Sequence, residues 1–218
     1  AEALRAAVQG VDTVFHLAAV ASVPHSIDEP DYAHEVNLDG TFRVLRAAVD
    51  RGVKRVVFAA SAAAYGNAPE LPKREDMLPD PQSPYAVQKL AGEAYLRTFH
   101  DCFGLETASL RFFNVYGPRQ DPKNPYSGVL SIFADHLRTR RAPTIFGSGE
   151  QSRDFIFVED IARALLLAGK ASPAAAAGGV YNCGVGRGVS LTEVWETMQR
   201  IEGIELPAKR GPDRPGDV

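Results

Sequence analysis

Arg55-Val-Val-Phe-Ala-Ala-Ser61 decides the fold. Five apolar residues follow the arginine, and no polar residue alternates with them. A strand of that kind is buried on both faces, the mark of a parallel sheet and not of one open to water. Asp12-Thr-Val-Phe-His-Leu-Ala18 reads as a strand before it, and Glu106 to Phe113 and Gly179-Val-Tyr-Asn-Cys183 as strands after it. Helical patterns fall between them. Asp31 to about Asp50 carries Val36, Leu38, Val44, Leu45 and Ala48 among its apolar positions. Ser83-Pro84 is a helix start, and Gly104 ends that helix just after Cys102. Further helices are expected near Gly128 to Arg141 and over Glu159 to Lys170. Short strands are expected at Thr144-Ile-Phe146 and Asp154-Phe-Ile-Phe157. Thr192 is the expected cap of a last helix, and Ser172 to Gly179 reads as a plain loop. Strands alternating with helices make this an α/β chain with a doubly wound parallel sheet.

Ser61 ends the deciding strand, and the carboxyl ends of parallel strands are where such sheets place their chemistry. Tyr85-Ala-Val-Gln-Lys89 puts a phenol and an ammonium one helical turn apart on one face. That pairing can make tyrosine a base. Bringing a phenol from a pKa near 10 to about 7 takes roughly 4 kcal/mol. One ammonium at ~4 Å, at an effective dielectric near 20, supplies about that much. Ser61, Tyr85 and Lys89 therefore point to proton removal from a hydroxyl beside a hydride acceptor. Tyr-x-x-x-Lys alone also occurs as decoration of an amphipathic helix, so the surrounding motifs carry the argument.

Composition narrows the rest. The chain has 218 residues, 45% hydrophobic and 23% charged, with a net charge of −3. Nothing in that balance suggests nucleic acid or an anionic membrane as a partner. No apolar run reaches the 18 or so residues of a membrane span. Cys102 and Cys183 suit neither a disulfide framework nor a metal site, so no metal is expected and a reducing cytoplasm is the expected setting. No strand followed by a Gly-rich turn stands near the start. Gly184-Val-Gly-Arg-Gly188 reads as a tight turn, not as a phosphate loop. His16 and His25 have no partner visible in the sequence and suit core or surface roles.

An ordered set of motifs resembles one family. They are His16-Leu-Ala-Ala19, Asn37-Leu-Asp-Gly-Thr41, Ala60-Ser-Ala-Ala-Ala-Tyr-Gly66 and Ser83-Pro-Tyr-Ala-Val-Gln-Lys89. Arg111-Phe-Phe-Asn-Val-Tyr-Gly-Pro118, Arg153-Asp-Phe-Ile-Phe-Val-Glu-Asp160 and Arg214-Pro-Gly-Asp217 follow. Together they resemble the extended short-chain dehydrogenase/reductases, the NAD-dependent epimerase/dehydratase family. Within it the chain looks like the UDP-glucose and UDP-N-acetylglucosamine 4-epimerases. The resemblance implies a Rossmann-like sheet lacking its first strands, with a small α/β substrate-binding part toward the C-terminus. It also implies a fragment, beginning after the family's Gly-rich turn and stopping just after Asp217. Residues 1–115 would be a partial NAD-binding domain to which 154–183 return. Residues 116–153 and 184–218 would be a partial nucleotide-sugar domain.

The same resemblance assigns roles. Tyr85 would take the proton of the sugar 4-hydroxyl, Lys89 would lower its pKa and contact the nicotinamide ribose, and Ser61 would steady the developing keto oxygen. Hydride would pass from sugar C4 to NAD and return on the other face. Leu17, Ala18, Ala19 and Asn37 match positions lining NAD. Asn114, Ile145, Phe146, Arg153, Arg214 and Asp217 match positions holding the UDP-sugar. Read without the family, Ile145 and Phe146 are core candidates, and Arg153-Asp154 is a surface ion pair. Helices 31–50 and 84–102 resemble those that form a homodimer.

Departures from relatives bear on the reaction. Dehydratases carry acidic residues where Ala62 and Ala63 stand, and decarboxylases share that need for an acid, so an epimerase fits best. Phe112 replaces a tyrosine and Ala21 a lysine found in some relatives. Arg119-Gln-Asp-Pro122 leans toward N-acetylated sugars. The alternatives are another nucleotide-sugar enzyme of the family (dehydratase, decarboxylase or reductase) or an inactive fragment of one.

Overall fold

A computed structural model describes residues 2–120 and 128–212. The first elements are α1 (Glu2–Ala7), β1 (Thr13–His16), α2 (Val23–Asp28) and α3 (Pro30–His34). A π-helical turn, Glu35–Asp39, leads from α3 into α4 (Gly40–Asp50). Then come β2 (Arg55–Ser61), a 3-10 turn over Ala62–Tyr65, α5 (Pro84–Phe103), β3 (Glu106–Phe112) and β4 (Asn114–Tyr116). The rest are α6 (Val129–Arg138), β5 (Thr144–Phe146), β6 (Ser152–Phe157), α7 (Val158–Lys170), β7 (Ala177–Cys183), β8 (Gly188–Ser190), α8 (Leu191–Glu202) and β9 (Lys209–Gly211).

The chain divides into two compact units. The first holds residues 1–112 and 160–183, the second 113–159 and 184–218. In the first, β1, β2, β3 and β7 form a parallel sheet in that order. β2 is buried from Arg55 to Ala60, as an unalternating apolar run requires. Leu45 and Ala48 of α4 and Leu96 and Phe99 of α5 pack with Val56, Phe58 and Ala60 of β2 in one core. Gly92 lets α5 approach the strand, because a Cβ there would come within 2.8 Å of the Phe58 ring. Ser83 caps α5 by accepting the Ala86 N–H at 3.2 Å, and Gly104 closes it in a left-handed conformation. In the second unit β4 pairs parallel with β6, β6 antiparallel with β8, and β5 parallel with β9. Phe133, Leu137, Ile145, Val194 and Trp195 form its core.

Several expectations are corrected. The helix expected over 31–50 is interrupted by the π-helical turn, which seats Asn37 and lets the Thr41 hydroxyl bond the Asn37 carbonyl at 2.6 Å. Ser190, not Thr192, caps α8: its Oγ accepts the Glu193 N–H at 3.1 Å, while Thr192 donates to the Gly149 carbonyl. The segment 172–179 is not a plain loop. Pro173–Ala176 form a 3-10 turn, and β7 begins at Ala177 because its residues find a parallel partner in β3. The α2 helix and the strands β8 and β9 carry no sequence pattern strong enough to announce them.

Candidate active site

The first unit brings Ser61, Tyr85 and Lys89 together. Ser61 is the last residue of β2, and its Oγ accepts the Ala63 N–H at 3.2 Å, which leaves its own proton free to donate. It lies beside the Tyr85 phenol, close enough to draw the phenol's pKa down. Lys89 lies one turn further along α5, buried, with Nζ donating to the Ala59 carbonyl at 2.8 Å. Its ammonium lies 4.8 Å from the centroid of the Phe58 ring and 5.8 Å from that of Tyr85.

The electrostatics differ from the simplest expectation. Burial pushes the Tyr85 phenol above its ordinary value, and Ser61 pulls it only partly back. The Lys89 ammonium, 5.8 Å from the centroid of the Tyr85 ring, does not outweigh that burial, and it is itself desolvated, its pKa lowered to about 8. His16, at the end of β1, is lowered to about 4 by burial and then by the Lys89 charge. At neutral pH the site therefore holds a neutral imidazole, a neutral phenol and one ammonium.

His16 does have a partner. Its Nε2 lies 2.9 Å from Thr41 Oγ1. The Thr41 hydroxyl already donates to Asn37, so it accepts here, and His16 carries its proton on Nε2. Asn37 is 2% exposed, and its side chain is fully committed. Oδ1 accepts the Val20 N–H at 2.8 Å, and Nδ2 donates to the Val20 carbonyl and to Gln88 Oε1. Asn37 thus ties down the segment after β1. Leu17 and Ala18 are exposed and Ala19 half-buried in that segment, beyond the C-terminal end of β1.

Below the trio, Arg111 of β3 and Glu93 of α5 form a buried two-pronged ion pair at 2.9 and 2.7 Å. The guanidinium sits 4.6 Å from the Tyr65 ring centroid, and the Tyr65 hydroxyl donates to Asn182 at 2.7 Å. Asn182 in turn holds the loop at Lys73 and Glu75. Sequence reasoning missed this network, because its partners lie 18 to 117 residues apart.

The second unit carries the other expected residues. Asn114 opens β4, exposed, and donates to the Asp154 carbonyl at 3.1 Å. Ile145 is 2% exposed within the second core, whereas Phe146 and Arg153 are half-buried. The Asp154 carboxylate accepts the N–H groups of Val185 and Gly186 at 2.8 and 2.7 Å. The Gly-rich turn therefore encloses the chain's own carboxylate, as suits a structural turn. Arg214, Asp217 and Asp121-Pro122 lie outside the described residues. Among the described residues, no cluster of His, Cys, Asp or Glu could hold a metal ion, and no helix is long and apolar enough to cross a membrane.

The fit to a dinucleotide can be judged from Lys89. One buried ammonium bonded to a single carbonyl has protons left for ribose hydroxyls, and exposed Leu17 and Ala18 follow directly on His16, whose imidazole feels the Lys89 charge. The residues present fit the nicotinamide half of such a cofactor.

Comparison with known proteins agrees. Residues 1–184 match the NAD dependent epimerase/dehydratase family. The UDP-glucose 4-epimerase of Mycolicibacterium smegmatis is 39% identical over 208 residues, 95% of this chain and 65% of that protein. The UDP-N-acetylglucosamine 4-epimerase from Methanobrevibacter ruminantium, solved with UDP-N-acetylmuramic acid, superposes with a TM-score of 0.95 at 38% identity. That match covers 99% of this chain and 68% of the other. The UDP-glucose 4-epimerase of Thermus thermophilus, solved with NAD, gives a TM-score of 0.89 at 37% identity, covering 100% of this chain and 71% of that one. The chain spans about two thirds of the length of the curated relatives it matches (65% and 67% for two of them). The family match over residues 1–184, with a relative 39% identical over 95% of the chain, establishes that the chain belongs to the NAD dependent epimerase/dehydratase family.

Proposed function

We propose that the protein, at its full length, inverts C4 of a UDP-sugar, UDP-N-acetylglucosamine or UDP-glucose, through a transient 4-keto intermediate, with NAD as its cofactor. The observation that carries this reading is the Ser61–Tyr85–Lys89 cluster at the end of β2. Bound NAD supplies a hydride acceptor. Tyr85 takes the proton of the 4-hydroxyl and later returns one. Ser61, its proton uncommitted, donates to the same oxygen as charge develops there. Lys89, the charged member of the trio, holds the ribose and favours the phenolate. Leu17, Ala18 and Ala19 line the cofactor, and Asn37 keeps their segment in place. Asn114, Phe146, Arg153, Arg214 and Asp217 hold the UDP-sugar, and Ile145 backs that surface from the core. The first unit is then the cofactor domain and the second the nucleotide-sugar domain. Ala62 and Ala63 form the turn directly after Ser61. No acid or base stands there to expel water, which favours epimerisation over dehydration.

A contiguous aromatic patch supports a homodimer through α4 and α5. Phe42 lies 5.4 Å from Tyr95 and 5.9 Å from Phe99, which lies 5.0 Å from Phe103, and Phe103 is 50% exposed. The free thiols Cys102 and Cys183 suit a reducing cytoplasm.

Proton NMR of UDP-N-acetylglucosamine and UDP-glucose incubated with the full-length protein, with no NAD added, tests the activity. A galacto-configured product, absent with Tyr85→Phe, is the expected result and identifies the sugar. No change with either sugar, even after NAD is supplied, contradicts it.

A further inference from the structure

We infer that Ser26 is a positioning residue for Tyr85, fixing the base through its backbone. The first turn of a helix leaves N–H groups without intrahelical partners. In α5, Pro84 has none to place, and Ala86 gives its own to Ser83 Oγ. The Tyr85 N–H remains, and it donates to Ser26 Oγ at 3.1 Å, from a different element 59 residues away. Ser26 is 0% exposed. Its hydroxyl proton goes to the Val23 carbonyl at 2.7 Å, which leaves an oxygen lone pair for Tyr85. Ser22, the cap of α2, bonds the His25 N–H at 3.1 Å and so sets the helix that carries Ser26.

A second tie lies one turn along. Gln88, between Tyr85 and Lys89 on α5, accepts from Asn37, which also grips Val20. Residues 20–26 are thereby fastened to α5 at Tyr85 directly and at Gln88 through Asn37. Ser26 touches no reacting atom. It acts by fixing where the Tyr85 Cα sits, and therefore where its hydroxyl lies relative to Ser61. Displacements near 1 Å at a reacting group can cost about a hundredfold in rate.

The inference rests on Tyr85 being the base for its kinetic consequence, but not for the hydrogen bond itself. The test therefore uses two readouts on the full-length protein: Ser26→Ala, with Thr107→Ala as control. Thr107 makes a buried hydrogen bond to the Leu96 carbonyl in the second half of α5, away from the site. In Ser26→Ala, kcat for the UDP-sugar should fall about 10- to 100-fold with KM within about twofold, while Thr107→Ala keeps its kcat. In protein labelled with 15N-tyrosine, the Tyr85 amide should exchange with D2O at least about tenfold faster in Ser26→Ala than in wild type or Thr107→Ala. Unchanged kcat in an active enzyme, or unchanged Tyr85 amide protection, overturns the inference. A wild type inactive toward every UDP-sugar counts against the proposed function alone, and the amide measurement still decides on Ser26.

Discussion

Three side chains carry the proposed chemistry, and their environments make it testable. Tyr85→Phe removes the hydroxyl placed beside Ser61 and should lower kcat by about 10²–10⁴-fold, the usual range for a lost general base. Lys89→Met removes the charge that favours the phenolate. The acid limb of the kcat profile should move to higher pH in that variant, and an unmoved limb would separate Lys89 from the base. His16 offers a test by stability. Its folded pKa of about 4 lies below the ordinary 6.5, so between those values the unfolded chain binds the extra proton. Stability is full above pH 6.5 and lost as pH falls toward 4, by about 3 kcal/mol. Urea unfolding at several pH values should show that loss in wild type and a smaller one in His16→Gln. The trio was legible because strand-end serine and Tyr-x-x-x-Lys are local patterns. The raised phenol and the His16 partner were not, since burial and a hydroxyl 25 residues away leave no mark in a local stretch.

At the scale of elements, α5 is fastened to β3 by Glu93 and Arg111, both nearly inaccessible. Breaking a buried pair strands a charge, so Glu93→Ala should cost about 3–5 kcal/mol in chemical denaturation. Glu93→Leu with Arg111→Met should recover most of that, because no charge is then left alone. A double variant as unstable as the single one would assign the loss to packing. The ends of α5 were readable from Ser83-Pro84 and Gly104, and β2 from its unbroken apolar run. The π-helical turn was not, because Asn37 and Thr41 look like ordinary polar positions of an amphipathic helix. β8 and β9, three residues each, exist because partners meet them, which periodicity cannot show.

Across the whole molecule, the order of motifs identified the family, while the partition into two units came from strand pairing. Residues 113–115 and 154–159 go with the second unit, as β4 and β6 pair with each other there. The proposed homodimer buries Phe42, Tyr95 and Phe103 between α4 and α5 of two copies. Phe42→Glu with Phe103→Glu should shift a dimer to a monomer in sedimentation, and a wild type that sediments as a monomer refutes the pairing. The central claim, that the sugar loses and regains hydrogen at C4 while Tyr85 handles only the hydroxyl proton, is tested most directly by an isotope. The full-length protein is incubated in D2O with the UDP-sugar it turns over, and the product is read by NMR. The account predicts an inverted C4 with no solvent deuterium on carbon, and deuterium at C3, C4 or C5 of the product would contradict it.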